Sequence, residues 1–259
     1  MSERVSEQVF VLARRSVFRT LRQPANVVFP LAFPLLLLAV NAGGLDAATR
    51  LPGFPTHSFV AFALAIPFIQ GALFATLNAG TDLARDIQTG FLNRLSLTPM
   101  RDVALLAGQL GGIVAMGVLQ ALVYLSVGIA VGVRLESGPA GALVLLAFSV
   151  LISLGFGALG AFAALRTGTG EAVQSLFPVF FVFLFLSSMN LPRNLIEIEW
   201  FRVVATVNPV SYLIECVRSL IITGWDGQAL ALGFGIAAAI AAVALALATA
   251  ALRTRLTRS

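Results

Sequence analysis

Six stretches of this chain are each long and apolar enough to cross a lipid bilayer, and no other feature constrains the fold as tightly. A hydrocarbon core about 30 Å thick takes roughly 20 residues of helix. Residues 25–45, 58–80, 105–133, 140–165, 172–191 and 228–252 meet that requirement. Lipid offers no partner to backbone polar groups, so each span satisfies them internally, as a helix. Of the 259 residues 58% are hydrophobic and 11% charged, and the mean hydropathy is +0.93. Soluble domains are about 45–50% apolar and about 25% charged, so a single soluble core could not hide this much apolar surface. The expected fold is an all-α integral membrane protein of six transmembrane helices, with an N-terminal interfacial helix and short re-entrant helices between spans 5 and 6.

Upstream of the first span the pattern changes. At 100° per residue, Arg4, Gln8, Arg15, Arg19 and Arg22 fall within an arc of roughly 60°, with Val5, Val9, Leu12, Val17 and Leu21 elsewhere. A broad apolar face with a narrow arginine stripe suits a helix lying in the membrane interface. Residues 1–24 are therefore expected as a cytoplasmic amphipathic helix, and residues 25–259 as one transmembrane domain. The N-terminal residues lack the apolar core and cleavage site of a secretory leader, so the first span is expected to direct insertion. Pro30 and Pro34 predict a kink or a late helix start within it.

Every one of the 17 basic residues is arginine. With both termini inside, the inner segments hold 12 of them and the outer segments 5 (Arg50, Arg134, Arg193, Arg202 and Arg218). That asymmetry follows the positive-inside rule and predicts a multi-pass protein of the cell (inner or plasma) membrane with cytoplasmic termini, in contact with membrane lipids. The arginines form no patch with interleaved aromatics, so no nucleic-acid partner is expected.

Two connections are too long for simple turns. The inner one, about 81–104, clusters charge at Asp82, Arg85, Asp86, Arg94, Arg101 and Asp102, punctuated by Gly90 and Pro99. It reads as one or two short helices at the membrane surface. The outer one, about 192–227, is apolar for a solvated loop, yet each half is too short and too charged to span. Asn208-Pro209 is a helix start with proline at the first helical position. Two short helices dipping back into the outer leaflet satisfy both facts, provided protein or a water-filled cavity covers them.

Little in the sequence supports chemistry on the chain itself. The lone Cys216 excludes an internal disulfide and a cysteine metal cluster, and the lone His57 excludes a His–His metal pair. His57 reads as a boundary residue and Cys216 as a small apolar residue of a helix. Gly155, Gly157 and Gly160 match a dinucleotide fingerprint but lie inside a span without a strand–turn–helix unit. They read instead as close helix packing, as do Gly108 with Gly112 and Gly128 with Gly132. Gln70, Asn78 and Gln120 are the main polar residues within spans; hydrogen bonds between helices or the lining of a substrate path account for them equally well. The spans hold almost no ionisable group, against a proton- or sodium-driven pump. Without a lysine the chain cannot build a P-loop, so any ATP-driven work requires a separate subunit. It is not expected to be an enzyme or to bind a cofactor.

Two motifs resemble those of the membrane subunits of type-2 ABC transporters, in particular the bacterial drug-resistance exporter branch. The inner connection carries Asp86, Gly90, Arg94, Leu95, Thr98, Pro99 and Arg101 in the order of one family segment. The outer connection carries Asn208, Pro209, Tyr212, Glu215 and Arg218, similar to the family's NPxxYxxExxR signature. The resemblance covers nearly the whole chain. It departs after Pro192, where Glu197 and Glu199 stand in place of an expected second proline before Trp200.

The resemblance implies an exporter permease working as a homodimer or heterodimer with cytoplasmic ABC ATPase subunits, which bind ATP and magnesium. It also implies that Asp82, Arg85, Asp86, Gly90, Arg94, Thr98, Pro99 and Arg101 form the loop that docks on the ATPase. Glu215 and Arg218, spaced i, i+3, are expected to pair on one helix face. The charge-poor spans point to a hydrophobic or amphiphilic substrate, drug-like or lipid-like. The rival reading is an ATP-independent channel-like or scaffolding module.

Overall fold

A computed structural model of the chain describes residues 11, 13–18, 22–91 and 102–256, and every regular element among them is helical. The first span, α1 (Pro24–Leu45), ends in a 3-10 turn (Asp46–Arg50). Ser58 caps α2 (Phe59–Ala63) by accepting the Ala61 N–H. After a jog at Leu64, α3 (Ala65–Gln88) carries the second span far beyond residue 80. The third and fourth spans are α4 (Asp102–Ala130) and α5 (Gly138–Thr167). The fifth is broken at Ser175 into α6 (Gly170–Gln174) and α7 (Leu176–Phe185). After it come α8 (Glu199–Val207), α9 (Pro209–Arg218), a π-helical turn (Ser219–Thr223) and the final span, α10 (Gly227–Leu256).

Five of these helices have the length and composition to cross a membrane, and Gly170–Phe185 is the shorter sixth. Its 16 residues rise only about 24 Å at 1.5 Å per residue. Residues 186–191, expected as the end of this span, instead leave the helix: Ser187 bonds back to the Leu184 carbonyl at 2.5 Å, and Asn208 takes the Phe183 and Leu186 carbonyls. The inner connection differs as well. Residues 81–88 continue α3 in place of a separate surface helix, and residues 92–101 lie outside the described residues.

The second span is the axis of the bundle. Its apolar stretch is 83% buried, against 17% for the first span and 22% for the last. It packs chiefly on α5, and three glycines of α5 make close approaches to three different helices. A side chain at Gly155 would meet Ala241 of α10 at 3.1 Å, one at Gly157 would meet Ile113 of α4, and one at Gly160 would meet the Thr76 carbonyl of α3. The spacing read as packing in the sequence is a three-way junction.

The prolines of α1 neither stop nor delay the helix. Each lacks the N–H that would bond four residues back, so Pro30 frees the Asn26 carbonyl and Pro34 frees that of Pro30. Both are taken by neighbouring spans: Asn78 Nδ2 donates to Asn26 O at 3.2 Å, and Tyr124 Oη donates to Pro30 O at 2.7 Å. Phe29 and Phe33 also meet Phe74 edge-on, and Phe177 and Phe181 of α7 join the same aromatic ladder.

Candidate functional site: a re-entrant clamp and the inner end of the second span

The helix α9 is short but thoroughly covered: Val210, Ser211, Leu213, Ile214, Cys216, Val217 and Arg218 are buried. Its first residues line a cavity with Ile69, Leu73, Phe156 and Ile240. Ile69 lies ten residues into the second span, a rise of about 15 Å, or half of the hydrocarbon thickness. The start of α9 thus reaches toward the middle of the spans, while the π-helical turn that follows it meets the loop at residues 136–137, whose N–H groups donate to the Ile221 and Leu220 carbonyls. By contrast α8 is amphipathic, with Trp200, Val203 and Val207 exposed and Ala205 buried.

Each residue of the outer signature holds this hairpin to something. Asn208 caps α9 by accepting the Val210 N–H at 2.9 Å while its amide nitrogen ties down the end of α7; Pro209 stands at N1. Tyr212 donates to the Thr206 carbonyl at 2.8 Å, joining α9 to α8, and its ring lies under the Arg193 guanidinium at 4.6 Å. Glu215 pairs with Arg193 at 2.5 Å and accepts from the Ser188 hydroxyl at 3.0 Å. Arg218 donates to the carbonyls of Phe62, Ser188 and Met189 at 3.2, 3.1 and 3.0 Å, with its guanidinium 3.5 Å from the Phe62 ring centre.

The expected Glu215–Arg218 ion pair is therefore replaced. The Glu215 carboxylate turns to Arg193, 22 residues away, and Arg218 neutralises part of its charge on three carbonyl dipoles. Burial pulls the Arg218 guanidinium down to about 9 and the Glu215 carboxylate raises it; it remains a cation at neutral pH. Burial pushes the Cys216 thiol up to about 12, which keeps it neutral and a poor nucleophile. Sequence reasoning missed Arg193, Ser188, Ser211 (whose hydroxyl accepts the Ser188 N–H at 3.0 Å) and Phe62. The one available signal was Arg193 as the first cation after the fifth span.

At the opposite end, α3 projects beyond the apolar stretch. Arg85 is exposed and Asp86 buried, 3.7 Å from Arg15, whose guanidinium also lies 3.8 Å from the Phe91 ring centre. The N-terminal segment therefore seats on the C-terminal end of the second span. Ala13 packs against Gly111 of α4, and Ser16, Asn78, Asp82 and Met116 line a small cavity beneath it. Gln88 donates to the Gly168 carbonyl at 3.3 Å. Gly90 turns the chain with φ +67°, a left-handed conformation that costs glycine little. Arg94, Thr98, Pro99 and Arg101 lie outside the described residues.

The three polar residues of the spans divide. Asn78 is the tie to α1 described above. Gln70 and Gln120 are buried at 2% and 3% exposure, and Gln70 Oε1 and Gln120 Nε2 have no hydrogen-bond partner.

A helical bundle with a re-entrant hairpin on one side and a long central helix projecting on the other is the architecture of a polytopic membrane permease. The chain belongs to the ABC-2 type transporter family, whose model matches residues 7–222. It is similar to the daunorubicin resistance ABC transporter permease protein DrrB1 of Streptomyces coeruleorubidus, 29% identical over 201 residues, covering 75% of this chain and 66% of that protein. It is also similar to the "Putative transport permease ycf38" of Cyanophora paradoxa, 24% identical over 83% of this chain and 74% of that protein. The protein of that name from Porphyra purpurea is 24% identical over 87% of this chain and 78% of its own length.

Proposed function

We propose that this permease is the membrane subunit of an ATP-driven exporter, working as a homodimer or heterodimer with separate ATPase subunits in the cell membrane, both termini cytoplasmic. The observation that carries the reading is the continuity of the second span. Phe59–Gln88, largely buried and jogged once at Leu64, runs from the carbonyl that Arg218 grips to the carboxylate that Arg15 meets. A force applied by an ATPase at Arg85, Asp86 and Gly90, and at Arg94, Thr98, Pro99 and Arg101 beyond them, would reach the outer hairpin along that span.

The substrate we propose is hydrophobic or amphiphilic. A cavity of about 170 Å³ opens at mid-span among Ile69, Leu73, Phe156, Phe180, Phe183 and Ile240, and its lining is almost wholly apolar. Cavities of that size lined by Leu, Ile and Phe stay dry and take up apolar molecules. The drug-resistance relative supports a drug-like cargo.

The deciding experiment is purification of the tagged chain from native membranes, followed by transport of a fluorescent amphiphile in vesicles. A stoichiometric P-loop subunit is expected to copurify. Gly90→Pro, which forces φ near −65° where the chain needs +67°, is expected to abolish transport while the protein still inserts. Undiminished transport by that variant, or recovery of the chain alone with ATP present, would favour an ATP-independent module.

A further inference from the structure

The end of the bundle away from the termini holds another cavity, about 500 Å³, among Pro55, Phe62, Arg193, Glu215, Arg218 and Asp226. Its walls differ from those of the mid-span cavity, because charged groups of both signs line it. Both carboxylates are committed. Glu215 is engaged by Arg193 and Ser188, and Asp226, exposed at the mouth, accepts the Gln228 and Ala229 N–H groups at 2.9 and 3.1 Å as the cap of α10.

Arg218 is the exception. It is 7% exposed, and the nearby Glu215 carboxylate forms its ion pair with Arg193 instead. A guanidinium carries five N–H donors, and three of them, one from each nitrogen, go to the Phe62, Ser188 and Met189 carbonyls. One N–H on each terminal nitrogen is left over, in a group held rigid by those carbonyls and by the Phe62 ring. Two donors on a fixed fork match two oxygens of one oxyanion. Glu215 acts on this cation only from a distance and is itself held by Arg193, so an oxyanion beside Arg218 still gains from charge-assisted hydrogen bonds.

We propose that this cavity binds the phosphate group of an amphiphile, with Arg218 as the anion anchor at its floor and the apolar part lying along the hairpin toward the bilayer. Asp226 at the mouth sits where the ammonium of a zwitterionic headgroup would emerge. The site stands on the geometry of the outer hairpin and does not require the exporter reading.

The test is native mass spectrometry of the full chain, delipidated in mild detergent and offered dioleoylphosphatidylglycerol, dioleoylphosphatidylethanolamine or dioleoylglycerol, which lacks phosphate. The two phospholipids are expected to give one retained molecule per chain, and dioleoylglycerol none. Arg218→Lys keeps the charge but has only three donors, all demanded by the three carbonyls, and is expected to lower retention at least tenfold. Ala229, which also lines the cavity, becomes a bulky ring in Ala229→Phe while Arg218 itself is unchanged, and that variant is expected to do the same. In both variants Cys216 should stay unreactive to a maleimide, which shows that the hairpin is folded. Equal retention of dioleoylglycerol, or retention unchanged in Ala229→Phe, would overturn the site. Displacement of the phospholipid by millimolar inorganic phosphate would make the free ion the occupant and overturn the amphiphile assignment; no displacement supports it.

Discussion

The proline-freed carbonyls of α1 allow a sharp test of how this bundle is held together. Tyr124 is fully buried, with its hydroxyl on the carbonyl that Pro34 leaves open. Tyr124→Phe keeps the ring and its edge-on contact with Phe68 but strands the Pro30 carbonyl in an apolar interior. An orphaned buried polar group costs about 1–3 kcal/mol. Pro34→Ala restores a backbone N–H to that carbonyl, so in its background Tyr124→Phe removes only a second donor, worth about 0.5–1.5 kcal/mol. The cycle should therefore show a coupling of about 1 kcal/mol, with the hydroxyl mattering more when residue 34 is proline. Interhelical hydrogen bonds in membranes average about 0.6 kcal/mol and reach about 1.7 kcal/mol, so the value lies within the measured range. Cys216 supplies the readout: it is the only cysteine and is buried, so its labelling across a titration of dodecyl sulfate into maltoside micelles reports unfolding. Effects of Pro34→Ala not shared with Tyr124 cancel in the cycle. Equal penalties for Tyr124→Phe in the two backgrounds would refute the idea that the tyrosine replaces the missing backbone donor.

Two further outcomes follow from packing and burial. Gly160→Ala places a methyl group against the Thr76 carbonyl, a backbone atom that cannot swing aside, and is expected to destabilise by about 1–3 kcal/mol or more. Gly155→Ala meets Ala241 at 3.1 Å and should cost less, while Gly43→Ala, with open space around it, should be neutral; thermal unfolding in detergent gives the ranking, and an equal effect at all three sites would contradict the junction. Raising the Cys216 pKa to about 12 holds the thiol neutral, so maleimide labelling of the folded protein should stay slow from pH 7 to pH 9. Unfolded chain, with an ordinary thiol pKa near 8.5, should label far faster at every pH in that range; folded protein labelling at the same rate would show the thiol to be exposed.

The spans were legible because bilayer thickness imposes a length and an apolarity that a reader can count. The fifth was misjudged at its end, where residues 186–191 look apolar enough to continue but their backbone bonds go to Asn208 and Ser211, which no local pattern reveals. The outer signature was legible as a pair of short helices from Asn208-Pro209 and from the charge it contains. Its bonding was not, since Glu215 and Arg218 at i, i+3 looked like partners until Arg193 and three carbonyls from distant segments outcompeted that pairing. Asn78 makes the hydrogen bond between helices that was one of its two readings, but its partner was not legible: the acceptor is set by a donor missing from Pro30, 48 residues earlier, and only the fold brings the two together. The packing glycines of α5 succeeded because small residues in a span have few other uses.

Transmission of a push along the second span requires that span to behave as one body, and hydrogen exchange can decide whether it does. The helix has two places where it could give way: the jog at Leu64, and Gly80, whose neighbours Val173 and the Gly160 carbonyl press against the space a side chain would fill. Those close approaches make Gly80 a packed position, with α5 and α6 against it, so its flexibility as a glycine is spent on contact. Amides of residues 68–84 should then exchange together, in the slowest class, along with residues 152–165 of α5, because opening either helix requires parting the same interface. α8, which buries Ala205 alone, should exchange far sooner. If the amides split into two classes at Gly80, the inner end moves independently of the hairpin, and a push at Asp86 would be lost before it reached Phe62. If they exchange as one, and the amides on both sides of Leu64 fall in the same class, displacement at Asp86 must appear at Phe62, since neither weak place gives way.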